Sequence, residues 1–205
     1  MSVIAVVHFV NYKKGTQSRG AMGGVMFYVM QEKKTLWEGE QLISGINCQP
    51  QTVYDEFLNT KALYHKGSGV MFYHMVQSFP KGESVDPVMA HEAARRLSEY
   101  FEGCEVLICT HVDREHIHSH CIINSVNFET GKKLHLAKEQ VQELRAGIKD
   151  ALASVRVQYF YDRPEALEET FYASGVVVRA LTRLVERFME KLTEKKREKN
   201  VLDFS

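Results

Sequence analysis

The apolar positions of this chain change period several times, and each change marks an element. Val3 to Val10 is an apolar run of strand length, and the polar, glycine-bearing stretch Asn11 to Gly20 after it reads as a loop. Ala21, Val25, Tyr28 and Val29 then recur at helical spacing, which predicts a helix to about Gln31 with those four residues on one face. Gly23 and Gly24 each weaken such a helix by about 1 kcal/mol relative to alanine, so they point to a close backbone approach. Gln51 to Tyr64 predicts a second helix, apolar at Val53, Phe57, Leu58 and Ala62, and Val70 to Phe79 a strand. Asp86-Pro87 supplies a cap and a first-turn proline for a helix to about Phe101, apolar at Val88, Ala90, Ala94, Leu97 and Tyr100. Two further apolar runs, Glu105 to Thr110 and His116 to Val126, predict an antiparallel pair joined by a short turn.

Beyond these the pattern is helical again. Val141, Leu144, Ile148 and Leu152 fall on one side of a helix spanning about 137–153. After a linker, Asp162 to Glu169, a last amphipathic helix carries Val177, Leu181, Leu184, Val185, Phe188 and Leu192 before the charged end KKREKN. Its stripe is expected to pack on the domain, the alternatives being a dimer seam or the presentation of KKREKN to DNA. Strands and helices that alternate loosely around an antiparallel sheet make an α+β fold, with a main domain over residues 1–160 and a C-terminal helical extension over 161–205.

Composition narrows the classes. Hydrophobic residues at 44% and charged residues at 25% match globular averages, and no run of eighteen apolar residues occurs, which argues against a disordered chain and against a membrane span. The N-terminus lacks the basic stretch and the cleavage site of a signal peptide. The four cysteines form no C-x-x-C pair and read as small core residues of a cytoplasmic protein. Lys and Arg balance Asp and Glu at 26 each, so any polyanion must be held by local patches.

Four of the nine histidines fall within ten positions: His111, His116, His118 and His120, in THVDREHIHSHCIIN. On a strand His118 and His120 project to the same side, roughly 7 Å apart, and His111 across the turn can add a third imidazole. Three neutral imidazoles suit zinc, manganese or iron and leave the ion its full charge for a substrate. A solvated face rich in histidine is the bland alternative, and three or four in register argue against it. His116 shares the parity of His118 and His120, so periodicity does not select the three. Asp113 is placed to orient one imidazole through its second nitrogen. No serine elbow, P-loop or H-E-x-x-H motif is present.

Over roughly its first 150 residues the chain resembles the relaxases, mobilisation nucleases of the HUH endonuclease superfamily. The most specific piece is H-x-D-x-x-H-x-H-x-H followed by CIINSVNF; RGAMGGVMFYVMQEKKT and the pair SGINCQPQTVYDEF and VMFYHMVQSFPKGE agree in family order. The resemblance implies a ferredoxin-like antiparallel sheet backed by helices. It implies that Tyr28 is the nucleophile, that His111, His118 and His120 hold a divalent metal with His116 as the extra histidine, and that Asp113 orients a ligand or moves a proton. A tyrosine between Ala21, Val25 and Val29 is more often core than nucleophile, and the motif context reverses those odds.

The implied activity is a metal-dependent, site- and strand-specific DNA nickase and strand transferase, acting at an origin of transfer on a plasmid or integrative element through a 5′-phosphotyrosyl intermediate. Its cofactor is Mn²⁺ or Mg²⁺, with Zn²⁺ as the third candidate. Arg19, Lys33 and Lys34 are the expected contacts to single-stranded DNA. Accessory relaxosome proteins and a coupling ATPase are the expected partners, with no membrane. The alternatives are a rolling-circle replication initiator, a catalytically idle DNA-binding module of this fold, and a zinc hydrolase acting on small molecules. His74 reads as a packed or surface residue rather than a fourth ligand.

Overall fold

A computed structural model describes residues 5–12, 17–79, 85–114 and 116–136, together with Gln142. The chain divides into two units, Met1–Val155 and Arg156–Ser205, and every described residue belongs to the first. The helix expected over 137–153, Gln142 apart, and the one near the C-terminal end lie outside the described residues.

Five strands, β1 (Val6–Phe9), β4 (Ile43–Ile46), β5 (Phe72–Ser78), β6 (Val106–His111) and β7 (His118–Asn124), form one sheet in the order β1-β5-β7-β6-β4. Every pairing is antiparallel. Among the described residues three helices of two or more turns accompany it: α1 (Arg19–Val29), α3 (Val53–Leu63) and α4 (Pro87–Ser98). A short α2 (Glu32–Thr35) leads into a hairpin of β2 (Leu36–Trp37) and β3 (Glu40–Gln41). The expected α+β architecture, an antiparallel sheet backed by helices, is what the chain adopts.

The two faces of the sheet do different things. On one, Met22, Met26 and Val29 of α1 and Val53 and Phe57 of α3 pack with Phe72, Leu107, Cys109 and Ile122 into the main core. Residues of opposite parity face α4, whose His91 is hydrogen bonded to Ser44 and Thr110. The cap of α4 forms as its sequence predicts: Asp86 Oδ1 accepts from the amides of Val88 and Met89, and Pro87 stands in the first turn.

Several faces differ from the periodicity. In α1 the buried residues are Met22, Met26 and Val29, while Tyr28 is 49% exposed. Both stripes of this helix are apolar, so packing rather than pattern decides which turns inward. Gly23 does meet a close neighbour, since a Cβ there would lie 3.1 Å from Tyr54 Cε2, but nothing approaches Gly24. In α3 the buried face is Val53, Phe57, Thr60 and Lys61 rather than one ending at Ala62. In α4 Met89 and Ala93 are buried where Val88 and Tyr100 were expected to be. No apolar period predicts α2, the β2–β3 hairpin or the edge strand β4.

Candidate metal centre and its tyrosine

The β6–β7 pair builds the centre. His111 stands directly opposite His118 in the ladder, and His120 lies two residues on, so all three imidazoles emerge at one end of the face that carries the main core. One ring nitrogen from each lies within 4.8 Å of the others, a span from which small ring rotations bring all three onto one ion. His111 is 1% and His120 8% exposed, while His118 is half-buried at the rim. His116 precedes the strand; its ring lies 5.4 Å from that of His118 and is not one of the three.

The orientation of two rings follows from their second nitrogens. His111 Nε2 donates to the carbonyl of Val29 at 2.9 Å, one of the carbonyls that α1 leaves without a helical partner at its end. His118 Nδ1 donates to the His116 carbonyl at 3.2 Å. His120 Nδ1 is hydrogen bonded to His74 Nε2 at 2.8 Å. Asp113 therefore orients none of them: it is exposed in the β6–β7 turn, where its charge favours the protonated forms of His111 and His118.

Burial is the main influence on the charge of the cluster. It pushes His111 and His118 below the ordinary histidine value. His120 falls to about 2 and His74 to about 4, desolvation again the main cause and the neighbouring histidines adding to it. The imidazoles are thus neutral at physiological pH, the form in which histidine binds metal. His120 Nε2 is a buried polar atom with no hydrogen-bond partner among the described residues. A lone pair aimed into a cluster of imidazoles is what a divalent cation would satisfy, and an all-histidine donor set fits one.

Tyr28 ends up over this cluster because α1 runs toward it. Its ring centroid lies 6.0 Å from that of His111 and 6.5 Å from that of His120. The Lys34 ammonium sits 3.2 Å from the centroid of the Tyr28 ring, a cation–π contact, and Lys34 is only 7% exposed. Lys33 next to it is exposed. Arg19 is exposed at the other end of α1, about 14 Å from Tyr28 at 1.5 Å of rise per residue. The structure thus gathers His111, His118, His120, Tyr28 and Lys34, with Lys33 nearby and Arg19 apart.

His74 is packed and is not one of the three clustered histidines, as expected, but its place behind His120 carries no local signal. It stands on β5 opposite Ile122, two residues from the position opposite His120, and Tyr12 Oη is hydrogen bonded to its Nδ1 at 2.8 Å. Only the pairing of β5 with β7 brings it there, and no local pattern announces a pairing between segments 46 residues apart.

A half-exposed tyrosine ring over three neutral imidazoles, on an antiparallel sheet, makes a histidine cluster that could hold a metal ion. Comparison with known proteins gives the family. The model of the MobA/VirD2-like relaxase nuclease domain matches residues 28–153, more than half of the chain, and the chain belongs to that family. It is 39% identical over 98 residues to a Protein rlx of Staphylococcus aureus, covering 47% of this chain and 31% of that protein. It is 38% identical over 109 residues to the group II intron-interrupted relaxase LtrB of Lactococcus lactis subsp. cremoris, covering 52% of this chain and 18% of LtrB. The matched region thus spans about a third or less of these relatives' length. No helix among the described residues is long and apolar enough to cross a membrane.

Proposed function

We propose that this chain is a DNA relaxase, nicking one strand at an origin of transfer and holding the 5′ end as a phosphotyrosyl ester during conjugative mobilisation. The observation that carries the reading is Tyr28 over a cluster of three histidines, two of them buried and one of those with an unpartnered nitrogen, in a chain of the relaxase family. A divalent ion held by His111, His118 and His120, Mn²⁺ or Mg²⁺ first and Zn²⁺ as the alternative, would withdraw charge from the non-bridging oxygens of the scissile phosphate.

The chain's own groups do the rest. Tyr28 Oη attacks phosphorus, the bond from phosphorus to the 3′ oxygen breaks, and that oxygen leaves with its electron pair and takes up a proton to become a 3′-hydroxyl. The proton lost by Tyr28 passes to a base at the open rim, a role we assign to Asp113. Lys34 against the Tyr28 ring and Lys33 beside it supply positive charge near the phosphate, and Arg19 meets the strand further along. One phosphodiester is exchanged for another, so rejoining needs no ATP. The nuclease domain ends at about residue 160, the protein acts in the cytoplasm, and accessory relaxosome proteins and a coupling ATPase are its partners.

The test is an SDS-resistant adduct assay with Mn²⁺ and labelled single strands tiling the DNA around the gene. A covalent band that requires both Tyr28 and metal is expected. A band that persists in Tyr28→Phe would overturn the assignment of the nucleophile, and tight binding without any adduct would make the chain an idle DNA-binding module.

A further inference from the structure

To bind one ion together, each of the three clustered imidazoles has to present an unprotonated nitrogen inward, and the partner of the opposite nitrogen decides whether it does. For His111 and His118 that partner is a backbone carbonyl, which can only accept. The hydrogen must therefore sit on His111 Nε2 and on His118 Nδ1, and the lone pairs point inward. His120 differs. Its Nδ1 meets another imidazole, His74, which can either donate or accept. The direction is settled one residue further out, where His74 Nδ1 meets the Tyr12 hydroxyl at 2.8 Å.

Two directions exist for this chain. In one, His120 Nδ1–H donates to His74 Nε2 and His74 Nδ1–H donates to Tyr12 Oη, so that His120 Nε2 carries a free lone pair. In the other, Tyr12 donates inward, His74 donates to His120, and His120 Nε2 carries a hydrogen. That hydrogen would be buried among the rings with no acceptor, because His120 Nε2 has no hydrogen-bond partner among the described residues. The first direction instead leaves the spare hydrogen on Tyr12, which is only partly buried and able to turn its O–H outward.

We propose that Tyr12 and His74 are positioning residues: a hydrogen-bonded chain behind His120 that fixes its Nδ1–H tautomer and so aims an unprotonated Nε2 into the histidine cluster. The packing supports a fixed geometry. Tyr12 lies edge-on to buried Phe72 at 5.0 Å and stacks on His74 at 6.2 Å, and His74 is 8% exposed. The backbone of β5 is tied at the same place, since the Val10 amide donates to the His74 carbonyl at 2.8 Å. His74 thus has little freedom to leave His120. The consequence for metal binding rests on the reading of the cluster as a metal site, whereas the tautomer itself does not.

Two measurements on the full-length protein separate these statements. Two-bond ¹H–¹⁵N correlation spectra of the metal-free protein report which ring nitrogen of His120 carries the hydrogen. The Nδ1–H form is expected in the wild type, a mixture or the Nε2–H form in His74→Leu, and the Nδ1–H form again in His74→Gln, whose amide oxygen can accept from His120 while its NH₂ donates to Tyr12. Tyr12→Phe, a change at a partly buried position, should shift the population toward Nε2–H without unfolding the domain. Titration with Mn²⁺ alone should then show affinity falling roughly 10- to 100-fold in His74→Leu and recovering in His74→Gln. An Nε2–H wild type, or a His120 tautomer unmoved by both His74→Leu and Tyr12→Phe, would overturn the proposal. A wild type that binds no Mn²⁺ yet holds the Nδ1–H form would overturn the metal reading and leave the tautomer lock standing.

Discussion

His91 lies on the α4 side of the sheet, opposite the histidine cluster, and should make stability depend on pH in a way a single variant can isolate. Its two ring nitrogens are hydrogen bonded to Thr110 Oγ1 and Ser44 Oγ, both at 2.9 Å, and burial pushes it down to about 4, with Glu92 and Arg95 acting in opposite directions. In the unfolded chain the same group titrates near 6.5. Between these values the unfolded state binds the proton and the folded state does not, so the native state is fully favoured above about pH 7 and loses stability as pH falls. The loss is on the order of 1 kcal/mol at pH 5.5 and levels off at a few kcal/mol below pH 4. Other buried histidines add to the same trend, so the wild-type curve alone does not isolate His91. His91→Gln keeps a donor and an acceptor but cannot titrate. Urea unfolding of both proteins from pH 8 to pH 5.5 should find the variant less stable at pH 8, with the gap narrowing by on the order of 1 kcal/mol at pH 5.5. Two parallel curves would refute the claim that the folded protein holds His91 in its neutral form.

Two further outcomes follow from the geometry. Metal analysis of purified variants should find bound Mn²⁺ retained in His116→Ala and lost in His118→Ala and His120→Ala; loss in His116→Ala would move the ligand set. On the same sheet face, away from the histidines, Lys61 Nζ donates to Asn124 Oδ1, Asn124 Nδ2 donates to Glu105 Oε2, and Thr60 donates to Glu105 Oε1 at 2.9 Å. Glu105→Leu strands the buried Lys61 ammonium and should cost about 3 kcal/mol in chemical unfolding; adding Lys61→Met should restore part of it, and a neutral Glu105→Leu would show that the network carries no stability.

How much of this was legible in the sequence depended on whether the signal was local. The histidine register was, because period two along one strand and one short turn fix where His111, His118 and His120 point. The cap at Asp86 and the β6–β7 pair were legible for the same reason. The face of α1 was not: Met22 and Met26 compete with Ala21 and Val25 as apolar stripes, and the choice between them is made by Phe57, Leu107 and Ile122, far away in the chain. That choice leaves Tyr28 exposed beside the histidines instead of in the core. The edge strand β4 was missed because four half-buried residues, ISGI, give neither alternation nor an apolar run. That His74 is packed was legible, but its partners were not, because Tyr12 and His120 are 62 and 46 residues away.

The chemistry of the centre and the stability of the domain are set by the same register. Leu107 and Cys109 point to the main core with His111, and Ile122 with His118 and His120, while Thr110 and Ser119, paired across the strands and hydrogen bonded to each other at 2.8 Å, point to the α4 side. A one-residue slip of β7 against the rest of the sheet would carry Ile122 out of the main core and turn His118 and His120 toward α4. It would also break the hydroxyl chain from Ser119 through Thr110 to His91. Apolar packing on one face and a polar lock on the other therefore oppose the slip together. The three imidazoles need no strong local preference of their own to converge, since the core residues interleaved with them already hold the strands in the only register that brings them together.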